Sequence, residues 1–577
     1  MWILISYLLI LILVSLLSYR KGFQNVFRTE SRLPWYLAGF SIFMFNPDTI
    51  YVLSKMGIVA SEGYAGMWIF YSGVLGAGFL PILFAPMWSR LKFMTDNQFI
   101  LFRFSGKSAR ILHLFRAAYV GYLVVALFIA QVFIGLSKIL MIFFDLTYSQ
   151  SFLIIGIGLI VIVAKNSLRL KVRTDFLNGI IYIVAFAVGA FFVVRHFGGL
   201  GEIYPKLRAD YEPFIRLIPD RMSDSTFGSL PTFLVYFLVQ WWSIQILDGA
   251  GPEAQRFMNT RGPFQAFKAA FLPLILFSAV FVFHSLVMDA GILMIHESAH
   301  QIPLLQGSSD FEAAFLSIYR MAMPGGLSML IFLAFLVALV SYLEAYINWG
   351  SSFVVVDIFK TYIFRDKADR FYGHLSYFVM LVIGGTGILV AWYNTHLFSL
   401  QKFIFSMAAG VGPVFVLRWF WWRINAWSQL SAMLSSLILA VGWNLLYDYS
   451  TGFQELADAG SLVLNMSPYA LKLIILTLLV SLVWLSVTFL TPPDDQSTLD
   501  HFVEEVKPGG WWPKQSQRYS GFSRRKLLLL IIYPIISILP FLIIWLFKFA
   551  SPLLAFTLLL FWIALVIATI RMTRSVT

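Results

Sequence analysis

Two stretches place oxygen ligands inside apolar sequence. In the first, Asn46-Pro47-Asp48-Thr49 interrupts a run that is apolar on both sides, from Leu37 to Phe45 and again over Ile50-Tyr51-Val52-Leu53. A proline removes a helix donor and clashes with the preceding turn, so the spacing predicts a helix broken at this point. Carbonyls freed at bilayer depth are tolerated only where protein or a water-filled cavity surrounds them. Free carbonyls, a hydroxyl and the Asp48 carboxylate would form a cation site of hard oxygen ligands, and an acid in so apolar a run marks a functional position. The plainer alternative is a kink with Asp48 paired to a neighbour.

The second stretch is Ser341-Tyr342-Leu343-Glu344-Ala345-Tyr346-Ile347-Asn348. Ala338, Ser341, Ala345 and Asn348 recur at helical spacing on one face, where small residues permit close helix contact. Ser341, Glu344 and Asn348 put a hydroxyl, a carboxylate and an amide on adjoining positions. The plainer alternative is a packing face with Glu344 hydrogen-bonded structurally. Asp175, within Arg173-Thr174-Asp175, reads by itself as the N-terminal cap of another span.

A competing enzymatic pattern is His296-Glu297-Ser298-Ala299-His300, with two histidines one turn apart around a glutamate, as in zinc proteases. Pro303 follows closely, and the only conceivable further ligand is Glu312. A polar outer loop carrying two histidines is the plainer reading. No nucleotide-binding loop, Ser-His-Asp arrangement or thiol cluster is present.

The elements that must position these residues are membrane helices. The 577 residues are 59% hydrophobic and 12% charged, with mean hydropathy +0.80. Soluble domains carry roughly twice that charged fraction. A net charge of +13 and pI ≈ 9.6 would suit a nucleic-acid partner, but the basic residues gather in short loops between apolar spans. The chain has no cysteine, which excludes disulfides and thiolate metal sites.

Apolar runs of roughly 20 residues cross the bilayer. They fall near 2–19, 36–58, 66–88, 111–143, 151–164, 175–195, 229–247, 266–291, 326–356, 373–393, 401–421, 427–447, 468–491, 526–548 and 552–570, which gives about fifteen spans. The first lacks a basic leading segment and is followed by Arg20-Lys21, so it reads as a retained span rather than a signal peptide. Lys and Arg fill alternate loops in phase along the chain, including Lys165, Arg169, Lys171 and Arg173 in one loop and Arg256, Arg261 and Lys268 in another. That bias predicts an N-terminus outside and a C-terminus in the cytoplasm, within the plasma (inner) membrane.

The span at 36–58 runs inside to outside, and the one at 229–247, five spans later, runs outside to inside. Two five-span units of opposite topology are what an inverted repeat requires, and broken helices with midplane sites are the mark of secondary transporters. The second unit should then also open on a broken helix, and it carries Gly249-Ala250-Gly251-Pro252 soon after Gln240-Trp241-Trp242.

In order along the chain, Leu33-Pro34-Trp35-Tyr36-Leu37, Thr95-Asp96, Arg103-Phe104-Ser105-Gly106-Lys107, Gln240-Trp241-Trp242, Ala254-Gln255-Arg256, Ser341 to Tyr346, Asn348-Trp349-Gly350 and Asp357-Ile358-Phe359-Lys360 resemble the sodium/solute symporter superfamily. The resemblance implies an all-α polytopic protein with a leucine-transporter-like inverted repeat of five plus five helices and extra helices at both ends. The expected division is an extra helix and loop in 1–32, repeats in 33–196 and 197–425, and extra helices in 426–577. It implies alternating-access symport of a small organic solute with Na⁺ as the coupling ion. By position, the sodium ligands would be the carbonyls of Met44, Pro47 and Ala338 and the hydroxyl of Ser341. Tyr342 stands where relatives often have a second hydroxyl, and Asp48 or Glu344 would supply the missing oxygen. Some relatives bind a further sodium through an acid matching Asp175, but here the matching helix positions are Glu344 and Ala345. Asp48, Glu344 and Asp175 are thus the acids expected to tune or couple the ion, with Tyr51, Trp241, Trp242 and Gln245 lining the solute cavity. The rivals are a membrane zinc protease built on His296, Glu297 and His300, and a solute sensor on a transporter scaffold.

Overall fold

The computed structural model describes residues 32–46, 48–164, 168–219, 229–243, 248–298, 311–394, 396–513, 516 and 524–574. Those residues are almost entirely helical. The first helix, α1, is Trp35–Phe45, and α2, Asp48–Glu62, continues beyond the break. Then come α3 (Tyr64–Trp88), α4 (Gly106–Phe144), α5 (Tyr148–Ala164) and α6 (Leu168–His196). The second half has α7 (Leu200–Asp210), α8 (Leu230–Leu238), α9 (Pro252–Met258), α10 (Pro263–Ser298), α11 (Phe311–Ala322), α12 (Gly325–Ile363), α13 (Asp369–Tyr393) and α14 (Leu397–Ala408). The chain ends with α15 (Ala426–Tyr449), α16 (Thr451–Val463), α17 (Pro468–Leu490), α18 (Gln496–Val506), α19 (Arg524–Phe549) and α20 (Pro552–Arg574).

Ten of these helices are long and apolar enough to cross a membrane, and four shorter ones are apolar. Every expected span except 2–19 falls on a helix or a pair of broken helices, and 2–19 lies outside the described residues.

At the core, α1 packs between α6, α10 and α12, and α4 packs against α12 and α13. The contact of α4 with α12 is unusually close: a Cβ on Gly350 would lie 2.5 Å from the Gly121 carbonyl oxygen. Two glycines facing each other let the backbones approach where any side chain would separate them.

Buried ion pairs tie the bundle together, because a charge taken out of water needs a partner. Near one end, Arg116 meets Asp96 at 2.9 Å and Arg418 meets Asp248 at 2.5 Å. Elsewhere, Lys138 meets Glu312 at 2.6 Å, with Ser54 donating to the same carboxylate. Lys548 of α19 meets Asp289 of α10 at 2.5 Å, and Tyr64 of α3 donates to that carboxylate at 2.6 Å.

Candidate functional site

The first break forms as its sequence dictates. The residue before a proline is driven out of the helical region, and Asn46 is extended, with φ −65 and ψ 139. The helix stops at Phe45 and restarts at Asp48. Pro47 itself and the Asp48 side chain lie outside what the structure describes.

The second break is also present. After α8 a short turn over Gln240–Trp242 follows, and α9 begins at Pro252, directly after non-helical Gly249, Ala250 and Gly251. Gly249 and Gly251 adopt φ +65 and +131, a region open to glycine. Gln245 falls between these segments, outside the described residues.

A polar chain runs through the bundle between the breaks. Arg256, on α9, donates from Nε to Ser41 Oγ at 3.3 Å, and its guanidinium lies over the Phe45 ring at 4.6 Å. Ser41, on α1, donates to Asp175 Oδ2 at 2.5 Å. Asp175 Oδ1 is 3.2 Å from Lys171 Nζ, one turn earlier on α6. Lys171 also donates to the Ser341 carbonyl oxygen at 2.6 Å and stands 3.6 Å from Glu344 Oε2. Asn178 donates to Ser341 Oγ at 3.0 Å. Ser41, Asp175, Lys171, Arg256 and Ser341 are buried, while Glu344 is partly exposed.

Several expectations need correction. Asp175 is not a cap: α6 begins at Leu168, so Asp175 sits two turns inside the helix with both oxygens engaged. Lys171 is not a loop residue, and it reaches the heart of the expected ion site. Arg256, assigned to a loop, is buried on α9. Apart from these corrections, Tyr51 is buried against the rings of Phe70 and Phe405.

A cavity of ≈ 130 Å³ lies beside this chain, walled by Tyr119, Phe128, Trp242, Tyr346 and Phe415, with Glu253 supplying a carboxylate. Tyr119 opens a π-helical stretch of α4, Tyr119–Val124, a widened turn of a kind frequent at functional sites. Trp242 lines this internal space. Trp241 instead stacks near Phe79 and lines a separate apolar space with Trp511 and Leu530.

The His296 pattern is spread among other partners. His296 Nε2 is 3.0 Å from the Ala60 carbonyl oxygen, Glu297 pairs with Lys206 at 2.5 Å, and Glu312 holds Lys138. The hydrogen bond that Lys206 donates to Glu297 raises the Lys206 pKa. His300 lies outside the described residues, and among the described residues no group of three His, Asp or Glu is placed to hold a metal ion.

A model of the Sodium:solute symporter family matches residues 27–436. The chain belongs to that family. It is a multi-pass membrane protein with a leucine-transporter-like fold. The fold is similar to that of a Na⁺-coupled sialic acid symporter solved in a substrate-bound outward-open state, with TM-score 0.67 and 17% identity over 85% of this chain and 98% of that one. In sequence, it is 26% identical over 128 residues to the high-affinity proline transporter PutP of Bacillus subtilis (strain 168). That match spans 21% of this chain and 27% of the length of the relative.

Proposed function

We propose that this chain takes up a small organic solute together with sodium by alternating access, with its N-terminus outside and its C-terminus in the cytoplasm. Residues 33–196 and 197–425 are the two inverted repeats, each opening on its broken helix. Sodium binds between the carbonyls of Met44, Pro47 and Ala338 and the Ser341 hydroxyl, with Asp48, Glu344 and Asp175 as neighbouring acids. The solute sits beside the breaks and passes Trp242 and Glu253.

The observation that carries this reading is the polar chain Arg256, Ser41, Asp175, Lys171, Ser341. It joins both interrupted helices to α6 and to the face of α12 that bears Ser341. Such a link in an apolar interior costs desolvation of every member, which points to a retained function.

Uptake into proteoliposomes under an imposed sodium gradient tests it. Proline and sialic acid are the first solutes to try, because relatives are transporters of these compounds. Accumulation that requires inward sodium supports the reading. Accumulation that follows a proton gradient and ignores sodium refutes it and makes Glu344 the proton carrier.

A further inference from the structure

The feature the sodium reading leaves unexplained is Lys171. Its ammonium lies against three oxygens: the Ser341 carbonyl at 2.6 Å, Asp175 Oδ1 at 3.2 Å and Glu344 Oε2 at 3.6 Å. Asp175 and Lys171 come from α6, and Ser341 and Glu344 from α12. Two acids from different helices and a backbone carbonyl converging on one point form the kind of oxygen donor set that binds hard cations. That point is taken by a cation on the chain's own tether.

Among the four charged groups joined by these contacts, Asp175, Glu344, Lys171 and Arg256, the charges balance only with Lys171 included. Asp175 and Glu344 supply two negative charges; Lys171 supplies one positive charge by contact, and Arg256 supplies another through Ser41. Without the ammonium, the cluster would carry one net negative charge, which burial opposes unless a counter-cation or a proton takes it up. Ser341 is the shared edge, since its carbonyl is held by Lys171 and its hydroxyl by Asn178.

We propose that the Lys171 ammonium is a built-in cation that holds the Asp175–Glu344 pocket and excludes free sodium from it. This rests on the sodium-coupled reading above and adds to it. Sodium has one place, at the Ser341 hydroxyl and the first break, and the adjoining acid pocket is closed to a second ion. The tether makes the pocket's occupant part of the fold rather than part of the cargo.

The test is equilibrium binding of radioactive sodium to the purified full-length protein, together with the sodium dependence of its melting temperature. Lys171→Met is expected to bind one further sodium ion per chain than wild type. Its melting temperature should also rise more steeply with sodium, because a ligand of the native state stabilises by mass action. Lys171→Arg keeps the charge and should bind sodium as wild type does. Should Lys171→Met fail to fold, Lys171→Gln takes its place: its amide can still donate to the Ser341 carbonyl, it carries no charge, and the same gain in bound sodium is expected. Equal, non-zero sodium binding by wild type and the neutral variant overturns the proposal. Sodium absent from wild type but gained on removing Lys171 upholds it while overturning sodium coupling in wild type. No sodium in any variant overturns both.

Discussion

Arg256 Nε stands 3.3 Å from Ser41 Oγ, so the restart of the second interrupted helix is latched to the helix that leads into the first break. The same hydroxyl gives its proton to Asp175 at 2.5 Å. One small side chain thus joins α9, α1 and α6 at the level of the proposed ion site.

Ser41→Ala breaks both links at once. A hydrogen bond to a charged group contributes about 1.5–3 kcal/mol, and its loss leaves a buried carboxylate oxygen and a guanidinium donor unmet. A lower melting temperature is expected for the detergent-purified variant. An unchanged melting temperature would show that the latch carries no stability.

Ser341→Ala removes the hydroxyl assigned to sodium and leaves the backbone carbonyl that Lys171 engages. The sodium concentration for half-maximal uptake should rise by about tenfold, equivalent to about 1.4 kcal/mol of lost affinity. Asn178→Ala keeps the hydroxyl and should shift it less. Sodium titrations of uptake for the two variants separate a ligand from a structural hydroxyl.

The Lys138–Glu312 pair offers a test of buried charge away from the site. Removing one partner strands the other, at a cost of about 3–5 kcal/mol. Lys138→Met alone should therefore lower thermal stability sharply, while Lys138→Met with Glu312→Leu should recover most of the loss. A double-mutant cycle on melting measures the coupling.

Gly350→Ala forces α12 away from α4, since the new methyl would meet the Gly121 carbonyl oxygen at 2.5 Å. Overpacking of this kind costs about 1–3 kcal/mol. Gly373→Ala, on α13 with open space at its Cβ, is the matched control and should leave the melting temperature unchanged or slightly raised.

Both breaks were legible in the sequence because their causes are local. Pro47 and Gly249-Ala250-Gly251-Pro252 interrupt apolar runs, and helices stop there whatever surrounds them. The Ser341 face was legible from helical spacing. Lys171 was missed for a physical reason: the charge-bias rule assigns basic residues near a span's end to a loop, and it cannot register that α6 starts earlier and buries them. A signal was available, since Lys171 and Asp175 stand four apart and so share a helix face. Arg256 was misplaced by the same rule. The partners of Glu312 and His296 depend on helices far away in sequence, and no local pattern announces them.

Lys548 has a mechanical consequence. By gripping Asp289 and sharing that carboxylate with Tyr64, it rivets α19, α10 and α3 into one plate. Any motion that displaces α3 or α10 must therefore carry α19 along or break the Lys548 and Tyr64 contacts to Asp289, so a helix outside both proposed repeats is coupled to one helix from each of them.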